Sequence, residues 1–298
     1  MPPKRITLTY SPTSTSDAAA VCESRLGTAL VLLPMVVYGI LHFVYADFVA
    51  NLVPAWMPWH FFWTYFVATA LFAASAAVVT RRLDYLAATL LGVMILLFVL
   101  MIHTSLLFVG SSAIPPGSMY GDRGGRLNNC FKDLGLSGAA FVLAGTRSRR
   151  GRGILIFGRW ILAISISAFG ILHALYPAFA PGIPPMFEDI SFPLPGHIFW
   201  VYLTGVVFLA GGISIGIERE ERLAATTVAI VIIAFDLLVW GPRFPSHPSD
   251  LWGNWLKDLG MAGGALLAAA TAQSPIPSGA EDRAVVRTSS HGAAAFSG

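Results

Sequence analysis

Six stretches of this chain are apolar over the length a helix needs to cross a lipid bilayer: residues 28–46, 61–80, 86–108, 160–179, 198–217 and 223–240. A hydrocarbon core about 30 Å thick takes about 20 residues at about 1.5 Å of rise each. Composition agrees. Hydrophobic residues make up 55% of the 298, and Asp, Glu, Lys and Arg only 12%, half the share of roughly 25% usual in soluble domains. A soluble enzyme, a nucleic-acid-binding protein and a disulfide scaffold are thereby excluded, and the lipid bilayer is the expected partner. Cys22 and Cys130 are too few for a disulfide framework and too far apart for a redox pair. The first 20 residues hold no apolar run of the kind a cleaved signal peptide needs. The first span is therefore expected to act as its own insertion signal.

Two further segments, 134–145 and 259–272, are short alone. They reach spanning length only with the polar residues before them, Asn129, Lys132 and Asp133 in one case and Asn254, Lys257 and Asp258 in the other. Charge decides their fate. With both crossing and the N-terminus inside, all but five of the 19 Lys and Arg residues fall on the cytoplasmic side. The five are Arg123, Arg126, Lys132, Arg243 and Lys257. Were the segment ending at Gly145 not to cross, Arg147, Arg149, Arg150 and Arg152 would be stranded outside, against the positive-inside bias. The net charge of +3 is thus placed by topology and needs no acidic partner. The expectation is an all-α polytopic membrane protein with eight transmembrane helices and both termini cytoplasmic. Residues 1–26 read as a polar cytoplasmic arm, 147–158 as a basic cytoplasmic linker and 273–298 as a disordered cytoplasmic tail.

The chain also repeats itself. Gly39-Ile40-Leu41-His42 returns as Gly170-Ile171-Leu172-His173, with Tyr45, Phe48 and Pro54 returning as Tyr176, Phe179 and Pro185. Pro58, His60, Phe62, Trp63 and Tyr65 return as Pro195, His197, Phe199, Trp200 and Tyr202, and residues 86–89 (LAAT) as 223–226. Lys132-Asp133-Leu134-Gly135 returns as Lys257-Asp258-Leu259-Gly260. The offset is 131, then 137, then 125 residues, so the length changes fall in loops, where insertions are tolerated. Two parallel four-helix repeats are expected, at 27–146 and 159–272. An even number of spans in each puts both the same way up, related by an axis along the membrane normal.

Ionisable residues gather at one depth. His42 lies about four residues, roughly 6 Å, below the outer end of its span, and His173 is its equivalent. His103 lies toward the outer end of the third span. Its counterpart is Trp240, and Asp236, one turn deeper, replaces Val99. Lys132, Asp133, Lys257 and Asp258 occupy the first turns of the fourth and eighth spans, and His60 and His197 open the second and sixth. Charges within a membrane cost about 2.5–3.5 kcal/mol each on insertion scales, so they pair, face a cavity, or both. Lys132 and Asp133 are neighbours about 100° apart around the helix axis, so each looks to a different partner. The expected pairings are Asp133 with His42 and Asp258 with His173. Three readings stand for this layer: a lock between helices, a substrate or proton site, and haem or metal ligation. The last needs matched depth and facing directions, and no metal ligands are assigned. His60 and His197 read as interfacial, the tryptophans Trp56, Trp59, Trp63, Trp200, Trp240, Trp252 and Trp255 as an outer belt. Gly135, Gly138, Gly260, Gly263 and Gly264 read as points of close helix packing. No Walker motif, dinucleotide fingerprint or HExxH is present.

The stretch from Gly39 to Phe48 (GILHFVYADF), the loop Pro54-Ala55-Trp56-Met57-Pro58 and the stretch from Lys132 to Ala140 (KDLGLSGAA) together resemble the DoxX-like family of small membrane proteins. The resemblance implies a four-helix unit, here present twice, in a prokaryotic inner membrane. It also implies kinship with the membrane subunit of thiosulfate:quinone oxidoreductase. The motif residues that carry over are His42, His173, Lys132, Asp133, Lys257 and Asp258. Where the family commonly has a glutamate after the Tyr-x-x-Gly of the second helix, this chain has Leu71 and Phe208.

The functional expectation is a redox-linked membrane component, possible subunit of a quinone-linked oxidoreductase, handling a quinone-like or other small hydrophobic substrate near the outer leaflet. His42, His173, Asp133 and Asp258 would relay protons while Lys132 and Lys257 steady a developing anion. His103, Asp236, His60 and His197 are secondary candidates. The chain shows no electron carrier of its own, so a redox role needs a bound cofactor, quinone among them, or a redox partner subunit. A small-solute permease and a non-catalytic scaffold or assembly subunit are the alternatives.

Overall fold

A computed structural model describes residues 15–108, 123–148, 150–177, 196–240 and 255–272. Among them there is no strand. The helices are α1 (Thr15–Val44), α2 (Ala46–Ala50), α3 (His60–Val79), α4 (Asp84–Phe98), α5 (Thr104–Leu107), α6 (Arg123–Thr146), α7 (Arg152–Leu175), α8 (His197–Gly216), α9 (Glu221–Phe235) and α10 (Leu256–Thr271). Two π-helical turns interrupt this pattern. One, Val99–His103, joins α4 to α5, and the other, Asp236–Trp240, follows α9. An all-helical chain suits its composition, because a helix satisfies its backbone hydrogen bonds internally where no water can.

Five helical segments are long and apolar enough by themselves to cross a membrane: Ala18–Val44, His60–Val79, Asp84–Leu107, Arg152–Leu175 and Ile198–Gly216. Three of the eight expected spans are less clear-cut. α6 is long but opens on Arg123, Arg126, Asn128 and Asn129, and α9 and α10 have only 15 and 16 residues.

Helix limits and span limits differ. α1 begins at Thr15, so residues 15–26 of the expected arm are helical. Hydropathy finds where a helix enters apolar surroundings, whereas propensity decides where it starts, and nothing between Ala18 and Thr28 breaks it. This polar turn is also anchored, since Glu23 pairs with Arg222 at 3.3 Å. Likewise α7 starts at Arg152, leaving only residues 147–151 of the expected linker between helices.

α6 and α10 form the centre. They pack on each other, α6 also on α4 and α7, and α10 also on α9 and α1. Around them α1 packs on α3, α3 on α4, α7 on α8 and α8 on α9. The contacts α1–α3, α3–α4 and α4–α6 have their counterparts in α7–α8, α8–α9 and α9–α10. Large apolar side chains are exposed on α1, α3, α4, α7, α8 and α9, and none on α6 or α10 among the described residues. The outer helices thus turn apolar faces outward, and the polar ones are kept inside.

Glycine brings the halves together where the sequence suggested close packing. A Cβ on Gly263 of α10 would lie 2.7 Å from the carbonyl oxygen of Gly27 on α1. A Cβ on Gly138 of α6 would lie 2.6 Å from the amide nitrogen of Leu162 on α7. Only a residue without a side chain permits such approach.

Finer backbone features recur at the sequence offset of 137. The π-helical turns at Val99–His103 and Asp236–Trp240 are separated by it. So are the left-handed residues of the α3–α4 and α8–α9 turns, Arg81 (φ 56°) with Glu218 (φ 58°) and Leu83 (φ 57°) with Glu220 (φ 49°). Positive φ is uncommon outside glycine, so coincidence at two positions is informative about shared backbone geometry.

Candidate functional site

The third turn of α6, which starts further upstream than the expected span, and the first turn of α10 meet at the centre and exchange partners. Lys132 of α6 holds Asp258 of α10, Nζ to Oδ2 2.7 Å, and Lys257 of α10 holds Asp133 of α6, Nζ to Oδ1 2.7 Å. The arrangement is reciprocal: each lysine serves the aspartate of the other half. Lys132 is 2% exposed, enclosed by protein with its ammonium on Asp258. The Lys257 ammonium also approaches the Oδ1 of Asn129 at 3.4 Å, whose amide donates to the carbonyl of Gly125 at 3.0 Å.

The expected pairings of Asp133 with His42 and Asp258 with His173 are not the ones found. Asp133 is bonded on its second oxygen by Nε2 of His103, and Asp258 by Lys132. Both histidines instead donate from Nδ1 to the carbonyl four residues earlier in their own helix, His42 to Tyr38 and His173 to Phe169, each at 2.7 Å. Depth was shared, but direction was not. His103 stands on the π-helical turn, which shifts a residue around the helix relative to an uninterrupted α-helix, and so brings its buried imidazole to α6.

Asp236 sits on the equivalent turn and is fully buried. Neither of its carboxylate oxygens has a hydrogen-bond partner among the described residues, although it lies within electrostatic reach of Asp258 and Lys132. His60 opens α3 and lines neither of the cavities below. The side chain of His197 lies outside the described residues.

The polar centre opens into two cavities. The larger, about 350 Å³, is bounded by α1, α2, α3, α4 and its π-helical turn, with His103, Asp133 and Lys257 at one place on an otherwise apolar wall. Met35, Phe66, Leu71, Met94, Phe98 and Met101 supply much of that wall, and Tyr38, His42, Trp63 and Thr64 add further polar atoms. Trp63 already donates its indole N–H to the carbonyl of Pro58 at 3.0 Å. The smaller cavity, about 30 Å³, is lined by Lys132, Asp258, His173 and six apolar side chains.

The two cavities match. Ile166, Phe169 and His173 of the smaller correspond at offset 131 to Met35, Tyr38 and His42 of the larger. Phe208, Ile232 and Phe235 correspond at offset 137 to Leu71, Ile95 and Phe98. Asp258 and Met261 correspond at 125 to Asp133 and Leu136, and Lys132 to Lys257. Every residue of the smaller cavity therefore has its counterpart in the larger.

Chemically, the larger cavity offers an apolar enclosure with a charged carboxylate, an ammonium and an imidazole joined at one point. Its volume lies at the small end of the range, about 300–1,000 Å³, that suits small-molecule ligands. Among the described residues no group of three or more His, Cys, Asp or Glu gathers as a metal site. Sequence reading placed Trp63 in an outer belt and left Tyr38 and the methionines unassigned. Their spacing on α1 and α4 is ordinary core spacing, and only the assembled bundle reveals the space they border.

No family model matches the chain, and no curated protein or solved structure matches it.

Proposed function

We propose that this chain is a DoxX-like inner-membrane protein of eight spans in two parallel four-helix repeats, with both termini cytoplasmic, and that its larger cavity receives a quinone-like or other small hydrophobic substrate in a redox-linked reaction. The recurrence of π-helical turns, left-handed turn residues and helix contacts supports the repeat. The exposed apolar faces of the outer helices support the membrane, and the run Arg147–Arg152 supports the orientation.

The observation that carries the functional reading is the position of His103, Asp133 and Lys257 on the wall of an apolar cavity of about 350 Å³. A quinone is a flat apolar ring whose two oxygens need hydrogen-bond donors and, on reduction, protons. An oxygen directed at this corner meets both. Reduction to quinol takes two electrons and two protons; the electrons come from a partner subunit or bound carrier. His103 supplies one of the two protons, to the oxygen at this corner, and the other oxygen takes its proton from water. Asp133 orients the ring of His103 and stabilises the imidazolium, and Lys257 offsets negative charge on the quinone oxygen as electrons arrive. Run in reverse, the same groups accept protons from a quinol.

Titration of the purified protein with a short-chain benzoquinone tests this. The expectation is saturable binding that Asp133→Asn and His103→Gln each weaken by about tenfold or more, since a hydrogen bond to a charged group is worth about 1.5–3 kcal/mol. Binding without saturation, or unaltered in both variants, contradicts it.

A structural role is favoured for the other pair. Lys132 and Asp258 border only about 30 Å³ and join the two central helices at 2.7 Å, which is the geometry of a lock.

A further inference from the structure

Every residue that lines the smaller cavity has its counterpart in the larger, where His103 stands at the place of Trp240, yet one cavity measures about 350 Å³ and the other about 30 Å³. Two differences among the described residues contribute to this. At the position of Leu71 the second half has Phe208, whose ring stands edge-on to that of His173 with centroids 5.6 Å apart and planes at 83°. The ring occupies the space beside the histidine that the first half leaves open beside His42.

The second difference is how closely the helices approach. A Cβ on Gly170 of α7 would lie 2.6 Å from the amide nitrogen of Leu209 and 2.7 Å from the carbonyl oxygen of Gly205, both backbone atoms of α8. At the matching place in the first half, the atoms nearest a Cβ on Gly39 would be those of the Phe72 ring, 3.0 Å away, and not backbone. Gly205 itself corresponds to Ala68, and a Cβ there would come within 2.9 Å of the His173 Cβ. The first half carries a methyl group at this place, and its absence in the second allows the close approach of α8 to α7.

We infer that the smaller cavity is a second copy of the ligand site, held shut by Phe208 and by the close α7–α8 approach at Gly205. The chain takes one small hydrophobic ligand, and a latent site of the same class lies beside His173. What remains open there holds only a water or two, since one water needs about 10–15 Å³ of such space, and Lys132, Asp258 and His173 offer it polar partners. Phe208 is in this sense the residue that fixes how many ligands the chain accepts. The identity of the ligand rests on the quinone reading above; the existence of the closed copy does not.

Two probes keep those claims apart: a short-chain benzoquinone and xenon, which enters dry apolar cavities. Both are applied to the full chain in detergent, as wild type and as Phe208→Ala. Wild type is expected to bind one equivalent of quinone and Phe208→Ala two, the second about tenfold more weakly because Trp240 stands where the first site has His103, with one additional xenon site in the variant. Phe208→Leu, which installs the side chain of the counterpart position, serves if alanine fails to fold, and is expected to add the same xenon site. A folded variant that gains neither quinone nor xenon overturns the inference, as does a wild type that already binds two equivalents. Wild type binding no quinone, with a xenon site gained on substitution, overturns the quinone reading and leaves the closed copy supported.

Discussion

Lys132 pairs with Asp258 across the interface of α6 and α10, 2.7 Å between charged atoms and 126 residues apart in sequence. Its neighbour Asp133 is turned about 100° around the same helix and receives Lys257 from the opposite direction. A two-residue motif used twice thereby becomes four linked charges at the centre of the bundle, and the cavities lie on either side of it.

Removing one member of this set is predicted to cost far more than removing two. Lys132→Met leaves Asp258 buried without its cation, a loss of about 3–5 kcal/mol. Lys132→Met combined with Asp258→Leu recovers most of it, because the uncompensated charge is gone. Thermal unfolding in detergent compares the three proteins. A double variant no more stable than the single one contradicts the pairing.

The glycine contacts predict size limits. Gly158→Val places a side chain where even a Cβ would lie 2.5 Å from the Val142 amide nitrogen, and forces α6 and α7 apart. Overpacking of this kind costs about 1–3 kcal/mol. Gly153, whose Cβ would meet nothing within 4 Å, tolerates the same substitution. Yield of monodisperse protein for the two variants reads the difference; equal yields argue against close α6–α7 packing.

The limits of sequence reading follow from what each quantity measures. Position along a helix is countable at 1.5 Å per residue, and it grouped Lys132, Asp133, His103 and Asp236, which the structure brings within pairing or electrostatic reach of one cluster. Direction around the helix axis is set by neighbours that only tertiary packing supplies. His42 was therefore assigned to Asp133, although its ring turns back to its own helix and His103 takes the place. The π-helical turn that redirects His103 has no proline, glycine or charge to announce it: the residues are Val99-Leu100-Met101-Ile102-His103. The sequence repeat carried a further signal. Tyr38, Leu71 and Leu136 all precede or follow duplicated motif residues, and pairing them with Phe169, Phe208 and Met261 would have outlined both cavities.

Asp236 tests whether its carboxyl group is structural. Its counterpart is Val99, it is 0% exposed, and both oxygens lack hydrogen-bond partners among the described residues. Burying a polar group without compensation is unfavourable by about 1–3 kcal/mol. Asp236→Val is predicted to raise the Tm in detergent, since it installs the apolar side chain used by the other half. A lowered Tm shows instead that the carboxyl group is held by interactions that stabilise the fold.

The central claim is that a small hydrophobic ligand sits against His103, Asp133 and Lys257, and a photoreactive benzoquinone that crosslinks where it binds tests it most directly. The labelled protein is digested and the modified peptides identified by mass spectrometry. Label is expected on the cavity walls, at Met35, Met94, Met101 or Trp63, and to fall when an unreactive short-chain benzoquinone competes. Label confined to the exposed apolar side chains of α7 and α8, indifferent to competitor, contradicts the account.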